Sequence, residues 1–167
     1  MPPHDVIATH HHYGRWGRMI RYMISALVFL VSAAAPNAQS ASDSAGIRRA
    51  ALDYIEGWYR GDAARMERAL HPELAKRIVR TDSTSSESRL QQMSAMSLVQ
   101  GTRTGGGSRT ARERQLKDVS ILDIYRGAAS AKVVASDWID YLHLAKWNGR
   151  WVIVNVLWEL TPSGAER

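Results

Sequence analysis

One short stretch, DYLHLAKWNGRWVIVNVLW, runs from Asp140 to Trp158 and sets Asp140, Tyr141, His143 and Asn155 among apolar residues. A carboxylate such as Asp140 or an imidazole such as His143 acts as a general base when a substrate proton lies within hydrogen-bond reach. The amide of Asn155 both donates and accepts hydrogen bonds, so it is suited to orienting a ligand. Asp140 and His143 are therefore the catalytic candidates, and Asp140 and Asn155 are candidate ligand-binding residues.

Each of these residues also has a purely structural interpretation. Asp140 would pair with an arginine of a helix, Asn155 would satisfy a backbone group, and His143 would belong to the core or to an interface. A carboxylate among tryptophan and leucine side chains needs a partner, a water molecule or a ligand, because burying it alone is costly. The spacing alone leaves these alternatives open.

The dipeptide Asn148-Gly149 predicts a β-hairpin with a two-residue turn. With this turn, Leu142 lies opposite Asn155 and Asp140 lies opposite Leu157, and opposite residues share a face of the sheet. The predicted first face holds Trp138, Asp140, Leu142, Leu144, Ile153, Asn155, Leu157 and Glu159. The predicted second face holds Ile139, Tyr141, His143, Ala145, Val152, Val154, Val156 and Trp158. Both faces are largely apolar, so we expect helices to cover one and a second copy of the chain to cover the other, through Tyr141, Val154, Val156 and Trp158.

The segments before the hairpin must supply the rest of a pocket, and they predict helices first. Ile47, Ala51, Tyr54 and Trp58 recur at helical spacing over residues 42–62. Tyr54 and Trp58 lie where a helix could present them to the sheet. They become candidate ligand-binding residues together with Trp138, with a core position as the alternative.

The order of the remaining elements predicts the fold class. A second helix begins after Asp62 and ends at Pro72, which opens a short turn. A loop over residues 80–88 and a third helix over residues 89–101 come next, and the glycine-rich residues 102–110 are interpreted as a flexible linker. Three strands follow, over residues 115–125, 130–147 and 150–160, because apolar and polar residues alternate there. Helices followed by an antiparallel sheet predict an α+β domain.

Composition excludes several classes of site. The chain has no cysteine, which excludes disulfides, thiolate catalysis and cysteine-based metal sites. His71 and His143 are the histidines outside the first 41 residues, so we expect no multi-histidine metal site and no cofactor. Basic residues are interspersed with acidic ones on the predicted helices, so we expect no nucleic-acid partner.

The N-terminal region has the order of a secretory signal. Arg15, Arg18 and Arg21 precede an apolar run, Met23–Ala35, and small residues follow it. The run is shorter than the ~20 residues of a membrane-spanning helix, although an uncleaved anchor stays an alternative. We therefore predict removal of residues 1–41, with Met19 as a possible true start.

Removal of the signal leaves one domain over residues 42–167. Its net charge is +4, and no membrane span is expected in it. The predicted location of this domain is the periplasm or the medium.

Four stretches carry a resemblance to a known family. They are YIEGWYRGD (Tyr54–Asp62), MERALHPELAKR (Met66–Arg77), MSAMSLV (Met93–Val99) and the hairpin stretch Asp140–Trp158. With the segments between them they cover about residues 45–162, and they resemble the family named "putative lumazine-binding", a branch of the nuclear transport factor 2-like (NTF2-like) superfamily.

This resemblance implies a cone-shaped α+β fold. Helices would close one end of a strongly curved sheet around a cavity, and dimers would form through the other face of the sheet. The superfamily contains ketosteroid isomerases, polyketide cyclases, dehydratases and binding modules, and fold alone does not select among them. Its isomerase-like members use a tyrosine of the first helix, matched by Tyr54, and acidic groups in the cone, matched by Asp140.

The expectation that follows is an exported domain that binds a small, mostly apolar molecule. Trp58, Trp138, Leu142 and Leu157 would supply contact area, while Asp140 and Asn155 would fix the orientation of the ligand. One alternative is an isomerase or dehydratase with Asp140 or His143 as base. Another is a homodimeric scaffold whose cavity is filled by its own side chains.

Overall fold

The computed structural model describes residues 36–162 of the 167-residue chain. The predicted basic and apolar parts of the signal, up to Ala35, lie outside the described residues. The last six residues of the predicted signal, 36–41, form the start of the first described helix.

The described residues form three α-helices and a six-stranded sheet. The helices are α1 (Pro36–Arg60), α2 (Ala63–Ala69) and α3 (Ala95–Arg103). The strands are β1 (Leu70–Thr81), β2 (Ser88–Ser94), β3 (Asp118–Tyr125), β4 (Ala128–Val134), β5 (Trp138–Trp147) and β6 (Arg150–Leu160).

The predicted α+β class is confirmed, because the helices pack on one face of a curved, unclosed sheet. The strand order is β2-β1-β6-β5-β4-β3. The sheet is mixed rather than purely antiparallel, since β1 and β6 run parallel. We call the face that the helices cover the inner face, and the opposite one the outer face.

Local sequence accounts for the first two helices. Ile47, Ala51 and Tyr54 form a buried stripe along α1, as their helical spacing predicts. Gly61 takes a positive φ of 67° just past the end of α1, which is the conformation of a helix C-terminal glycine. The side chain of Asp62 then caps α2 by accepting a hydrogen bond of 2.9 Å from the Arg65 backbone N–H.

Residues 82–87 form a loop within the predicted range 80–88, but the helix end and turn predicted before it and the helix start predicted after it are wrong. The 12-residue strand β1 stands where the pattern predicts a helix end, a turn and the start of a loop, and β2 replaces the first part of the third helix. Leu74 and Ile78 point inward and are buried, while Val79 is exposed, which is the alternation of a strand. Pairing with β6 and β2 stabilises this segment as a strand, so tertiary contacts outweigh its local helical propensity.

The hairpin forms at Asn148-Gly149, and its register is correct only near the turn. Asn148 and Gly149 have positive φ values of 49° and 76°, and the predicted pairing holds as far as Leu144 opposite Ile153. Val154 is then an extra residue in β6, a β-bulge, so Asn155 lies opposite His143.

A shift of one residue moves every later side chain of β6 to the other face. Val156 and Trp158 therefore belong to the inner face, opposite Leu142 and Asp140. Asn155 and Leu157 belong to the outer face, opposite His143 and Tyr141. The two predicted faces are thus wrong for β6 beyond Val154, and Val156 and Trp158 are not part of the outer surface.

The core lies between the inner face and the helices. Its fully buried side chains include Ile55, Met66, Leu142, Ile153 and Val156. On the outer face, Tyr141 and Leu157 keep 46% and 50% of their surface exposed. None of the helices between residues 36 and 162 is long and apolar enough to cross a membrane.

Candidate functional site

A cavity of about 590 Å³ lies between the inner face and helices α1 and α3. Aromatic and aliphatic side chains dominate its wall: Trp58, Ile78, Met93, Leu98, Trp138 and Trp158. Tyr54, Lys76, Gln91, Gln92 and Ser97 add polar groups, and Gly101 completes the lining. This combination of an apolar wall with a few polar groups, at this volume, is typical of a small-molecule site.

A hydrogen-bonded cluster of Lys76, Tyr54 and Asp140 lies at one end of the cavity. The ammonium Nζ of Lys76 donates to Asp140 Oδ1 at 2.5 Å and to Tyr54 Oη at 2.6 Å. The Tyr54 hydroxyl donates to Asp140 Oδ2 at 3.1 Å, and Trp138 Nε1 donates to the same oxygen at 2.7 Å. Asp140 is fully buried and Lys76 is 4% exposed, so the cluster is a buried ion pair with two neutral donors around it.

Burial and the Asp140 charge set the protonation of this cluster. Burial lowers the pKa of Lys76 from its ordinary value of 10.5, and the adjacent Asp140 carboxylate opposes that shift. Burial, and then the negative charge of Asp140, raise the pKa of Tyr54 well above its ordinary value of 10.0. Tyr54 is therefore a neutral phenol that donates to Asp140 and accepts from Lys76.

Aromatic rings enclose the Lys76 ammonium. Its Nζ lies 4.7 Å from the ring centre of Trp158, 5.3 Å from that of Tyr54 and 5.9 Å from that of Trp138, all within cation–π range. Trp58 packs edge-on against Trp138, with ring centres 6.3 Å apart. The indole Nε1 of Trp158 is buried and has no hydrogen-bond partner, a condition that costs about 1–3 kcal/mol.

The glycine-rich segment holds Trp58 in place. Gly107 N–H donates to the Trp58 carbonyl at 3.0 Å, and Gly106, at a positive φ of 47°, donates to the Gly101 carbonyl at 2.9 Å. A Cβ on Gly107 would lie 2.6 Å from the Trp58 indole, so only glycine allows this approach. The segment interpreted as a flexible linker is therefore a close-packed wall behind Trp58.

Of the candidate residues, three line the cavity: Tyr54, Trp58 and Trp138. Asp140 lies beneath the wall, where it holds Tyr54, Lys76 and Trp138. Its partner is a lysine of β1, whereas the structural interpretation from sequence expected an arginine of a helix.

The remaining candidates lie outside the cavity. Asn155 is on the outer face because of the bulge at Val154, and its Oδ1 accepts from Arg77 Nη1 at 2.8 Å. His143 is its neighbour there, with 3.2 Å between His143 Nδ1 and Asn155 Nδ2. Asn155 and His143 therefore do not line this cavity, and Leu157, also on the outer face, supplies no contact to it.

Lys76 and Trp158 are two central residues of the site that the sequence pattern missed. Leu74, Lys76 and Ile78 alternate with Ala75 and Arg77, and this period of two was the available signal for Lys76. The sequence places Trp158 on the wrong face because no pattern in it predicts the bulge at Val154. Within residues 36–162, no group of three histidine, aspartate or glutamate side chains is placed to hold a metal ion.

The arrangement is suited to holding a molecule more than to abstracting its proton. The oxygens of Asp140 accept hydrogen bonds from Lys76, Tyr54 and Trp138, and the carboxylate does not border the cavity. What the cluster presents to the cavity is the side chain of Lys76 and that of Tyr54. Lys76 is the donor of the two, because the single O–H of Tyr54 is already donated to Asp140, and both side chains are set among flat aromatic surfaces.

Comparison with known proteins agrees with this fold. A family model described as "Putative lumazine-binding" matches residues 42–159. No curated protein sequence gives a significant match.

Solved structures with the same fold come from several bacteria. An NTF2-like protein of unknown function from Shewanella baltica OS155 shares 19% identity, with a TM-score of 0.55 over 73% of this chain and 96% of the other. Another from Silicibacter pomeroyi DSS-3 shares 16% identity, with a TM-score of 0.56 over 73% and 98%. A third, from Novosphingobium aromaticivorans and described as having a cystatin-like fold, shares 11% identity, with a TM-score of 0.52 over 81% and 96%.

At these identities the solved structures establish the fold alone. The family model covers most of the chain and spans every element that builds the cavity. The chain therefore belongs to the family described as "Putative lumazine-binding", with an NTF2-like fold.

Proposed function

We propose that this domain binds a small, flat, largely apolar molecule in the inner cavity. The observation that carries the proposal is the Lys76 and Tyr54 pair set at one end of a cavity walled by three tryptophans. Aromatic walls bury large flat surfaces with little loss of side-chain freedom. The polar end would fix the orientation of a ligand acceptor such as a carbonyl oxygen.

The charges of the cluster favour a neutral ligand. Asp140 already neutralises Lys76, so the site offers hydrogen bonds without an excess positive charge. Two of the three ammonium N–H groups of Lys76 are used by Asp140 and Tyr54, and the third is free to meet a ligand acceptor. A multiply charged anion would gain little here, because its attraction to Lys76 would be offset by repulsion from Asp140.

An isomerase or dehydratase is the competing function, and the site supports it less. It would require Asp140 to reach a substrate proton, and Asp140 is fully buried, satisfied by three donors and absent from the cavity wall. Binding needs none of these contacts to break.

Tryptophan fluorescence and calorimetry with a panel of flat compounds test the proposal. Lumazine, a flat pteridine with two carbonyl groups, is the first probe because of the family description, and 2-naphthalenemethanol is a simpler neutral one. Trp158→Leu should weaken binding of a hit at least tenfold. Trp147→Leu is the matched control, since Trp147 is half-exposed at the hairpin turn and outside the cavity. Equal losses in both variants, or no hit from the panel, would contradict the proposal.

We also propose that the protein is exported. The basic, apolar and small-residue order of residues 15–41 supports this. A cut between Ala38 and Ser42 would keep Asp43, whose Oδ1 accepts from Lys146 Nζ at 2.7 Å and from Trp151 Nε1 at 3.0 Å. Mass spectrometry of protein from the native cell should find a first residue between 39 and 42, and a cytoplasmic product that keeps Met23–Ala35 would refute export.

A homodimer through the outer face is the third part of the proposal. Tyr141 and Leu157 are neighbours there, and Val79 and Leu90 extend the exposed apolar surface across β1 and β2. Leu157→Glu should convert a dimer into a monomer in light scattering, while Met96→Glu on α3 should not. A monomeric wild-type protein at tens of micromolar would end this part of the proposal and leave ligand binding untouched.

A further inference from the structure

Lys76 differs from the other lysines of the chain in its surroundings. The sequence contains four lysines, and Lys117, Lys132 and Lys146 do not line the aromatic cavity. Lys146 is paired with Asp43, and Lys132 lies opposite Tyr141 on the outer face. Lys76 alone combines near-complete burial with a place in the cavity wall.

The groups in contact with Lys76 are those that amine chemistry requires. An ammonium must lose a proton before its nitrogen can attack, and the Asp140 carboxylate accepts a hydrogen bond from it at 2.5 Å. The Tyr54 hydroxyl, 2.6 Å from the same nitrogen and hydrogen-bonded to Asp140, is placed to relay a proton between that carboxylate and an oxygen beside Lys76. Burial also favours the uncharged amine, which lowers the pKa of Lys76.

We propose that Lys76 forms an imine with an aldehyde or ketone held in the cavity. This inference rests on the proposed binding function and narrows its ligand to a flat molecule with a reactive carbonyl. The aromatic rings around the ammonium would stack on such a molecule and keep water from the C=N bond.

The condensation balances with the groups present. Asp140 takes a proton from the Lys76 ammonium, and the nitrogen lone pair forms a bond to the carbonyl carbon while the C=O π electrons move to oxygen. The oxygen takes the proton back from Asp140 through Tyr54, because Asp140 does not border the cavity. A second proton passes from nitrogen through Asp140 and Tyr54 to the hydroxyl, which leaves as water as the C=N bond forms. An ammonium and a carbonyl thus become an iminium ion and water, and Asp140 ends as the carboxylate that faces the iminium charge.

Reductive trapping of 2-naphthaldehyde with cyanoborohydride tests the inference in the wild-type protein. Cyanoborohydride delivers hydride to the iminium carbon and leaves a stable secondary amine, which peptide mass spectrometry locates. Lys76 should be labelled at least tenfold faster than Lys117, Lys132 or Lys146 in the same folded chain. 2-Naphthalenemethanol, which has no carbonyl, should slow labelling at Lys76 and leave the other three lysines unchanged.

Two variants test the roles of Asp140 and Tyr54 in imine formation. Asp140→Asn should slow labelling at Lys76 at least tenfold, and Tyr54→Phe, which removes the relay to the ligand oxygen, should also slow it, with circular dichroism confirming that each variant is folded. The comparison among four lysines of the wild-type chain needs no variant, so the test survives if a variant does not fold.

The outcomes separate the inference from the proposed function. If 2-naphthalenemethanol binds but Lys76 is labelled no faster than the surface lysines, imine formation is refuted and ligand binding stands. If the alcohol does not bind and labelling is uniform, both fail for this ligand class. Preferential labelling of Lys76 that the alcohol blocks supports both.

Discussion

Breaking the buried Lys76–Asp140 pair from one side should destabilise the domain far more than removing both partners. In Asp140→Asn the shape of the side chain is kept, but the Lys76 ammonium loses its counter-charge in a site where it is 4% exposed. Removing one partner of a buried ion pair costs about 3–5 kcal/mol, because the remaining charge is left uncompensated. That is a large share of the total stability of a domain, about 5–15 kcal/mol.

The double variant Lys76→Met with Asp140→Leu removes both charges. Its main remaining costs are the Tyr54 hydroxyl, which loses both partners, and the part-buried Trp138 Nε1, which loses its acceptor. Such a group costs about 1–3 kcal/mol, so the double variant should be more stable than either single one. The summed losses of the two single variants should therefore exceed the loss of the double variant by about 3 kcal/mol or more, and this excess is the coupling energy between the two positions.

Urea unfolding followed by circular dichroism measures these free energies. Arg60→Met is the control, because Arg60 meets Glu56 at 3.4 Å with 61% of its side chain exposed, and exposed pairs of this kind contribute about 0.5 kcal/mol. If the losses in Lys76→Met and Asp140→Leu simply add in the double variant, the pair is not formed and the described geometry of the cavity end is refuted.

Three further predictions concern the walls and the faces of the sheet. Gly107→Ala should push the Trp58 indole into the cavity and lower the affinity for 2-naphthalenemethanol severalfold. Gly127→Ala is the control, because the added Cβ would meet nothing closer than 3.8 Å. Equal affinities of the two variants would contradict the role of the glycine wall. Tyr54→Phe should change the pH dependence of stability above pH 10, because the unfolded phenol ionises there while burial and Asp140 keep the folded one protonated. The wild type should therefore lose stability relative to the variant as the pH rises. A constant difference between their free energies of unfolding in urea from pH 8 to 10.5 would refute the raised pKa of Tyr54. Asn155→Leu should leave affinity for the same alcohol within twofold of the wild type, because Asn155 lies on the outer face. A tenfold loss of affinity would indicate that Asn155 lines the cavity.

Local signals in the sequence were sufficient for α1 and for the hairpin turn. The buried stripe of α1 repeats at helical spacing, and its end is set by a glycine that must adopt positive φ. Tyr54 and Trp58 could be placed at the cavity for this reason, since one stripe carries both toward the sheet. The Asn148-Gly149 turn likewise needs no distant partner to be recognised.

β1 could not be predicted in the same way because its stability comes from distant strands. The segment LAKRIVR has good helix formers, and its parallel partner β6 lies about 80 residues further along the chain. If this segment is interpreted as a helix, Lys76, between Leu74 and Ile78, is assigned to the solvent-exposed face. Only the neighbouring strands turn the alternation of Leu74, Lys76 and Ile78 into an inner face.

The extra residue at Val154 connects the shape of the sheet to the chemistry of the site. Val156 pairs with Leu142 on β5 and with Lys76 on β1, so the three share the inner face with Asp140. In a hairpin without the bulge, Asn155 would oppose Leu142 and face inward. The Ala75–Asn155 pairing of β1 and β6 would then turn Ala75 inward and Lys76 outward, away from Asp140. The bulge is therefore what brings the ammonium, the carboxylate and the Trp158 indole to one cavity, which agrees with the frequent position of bulges next to functional sites.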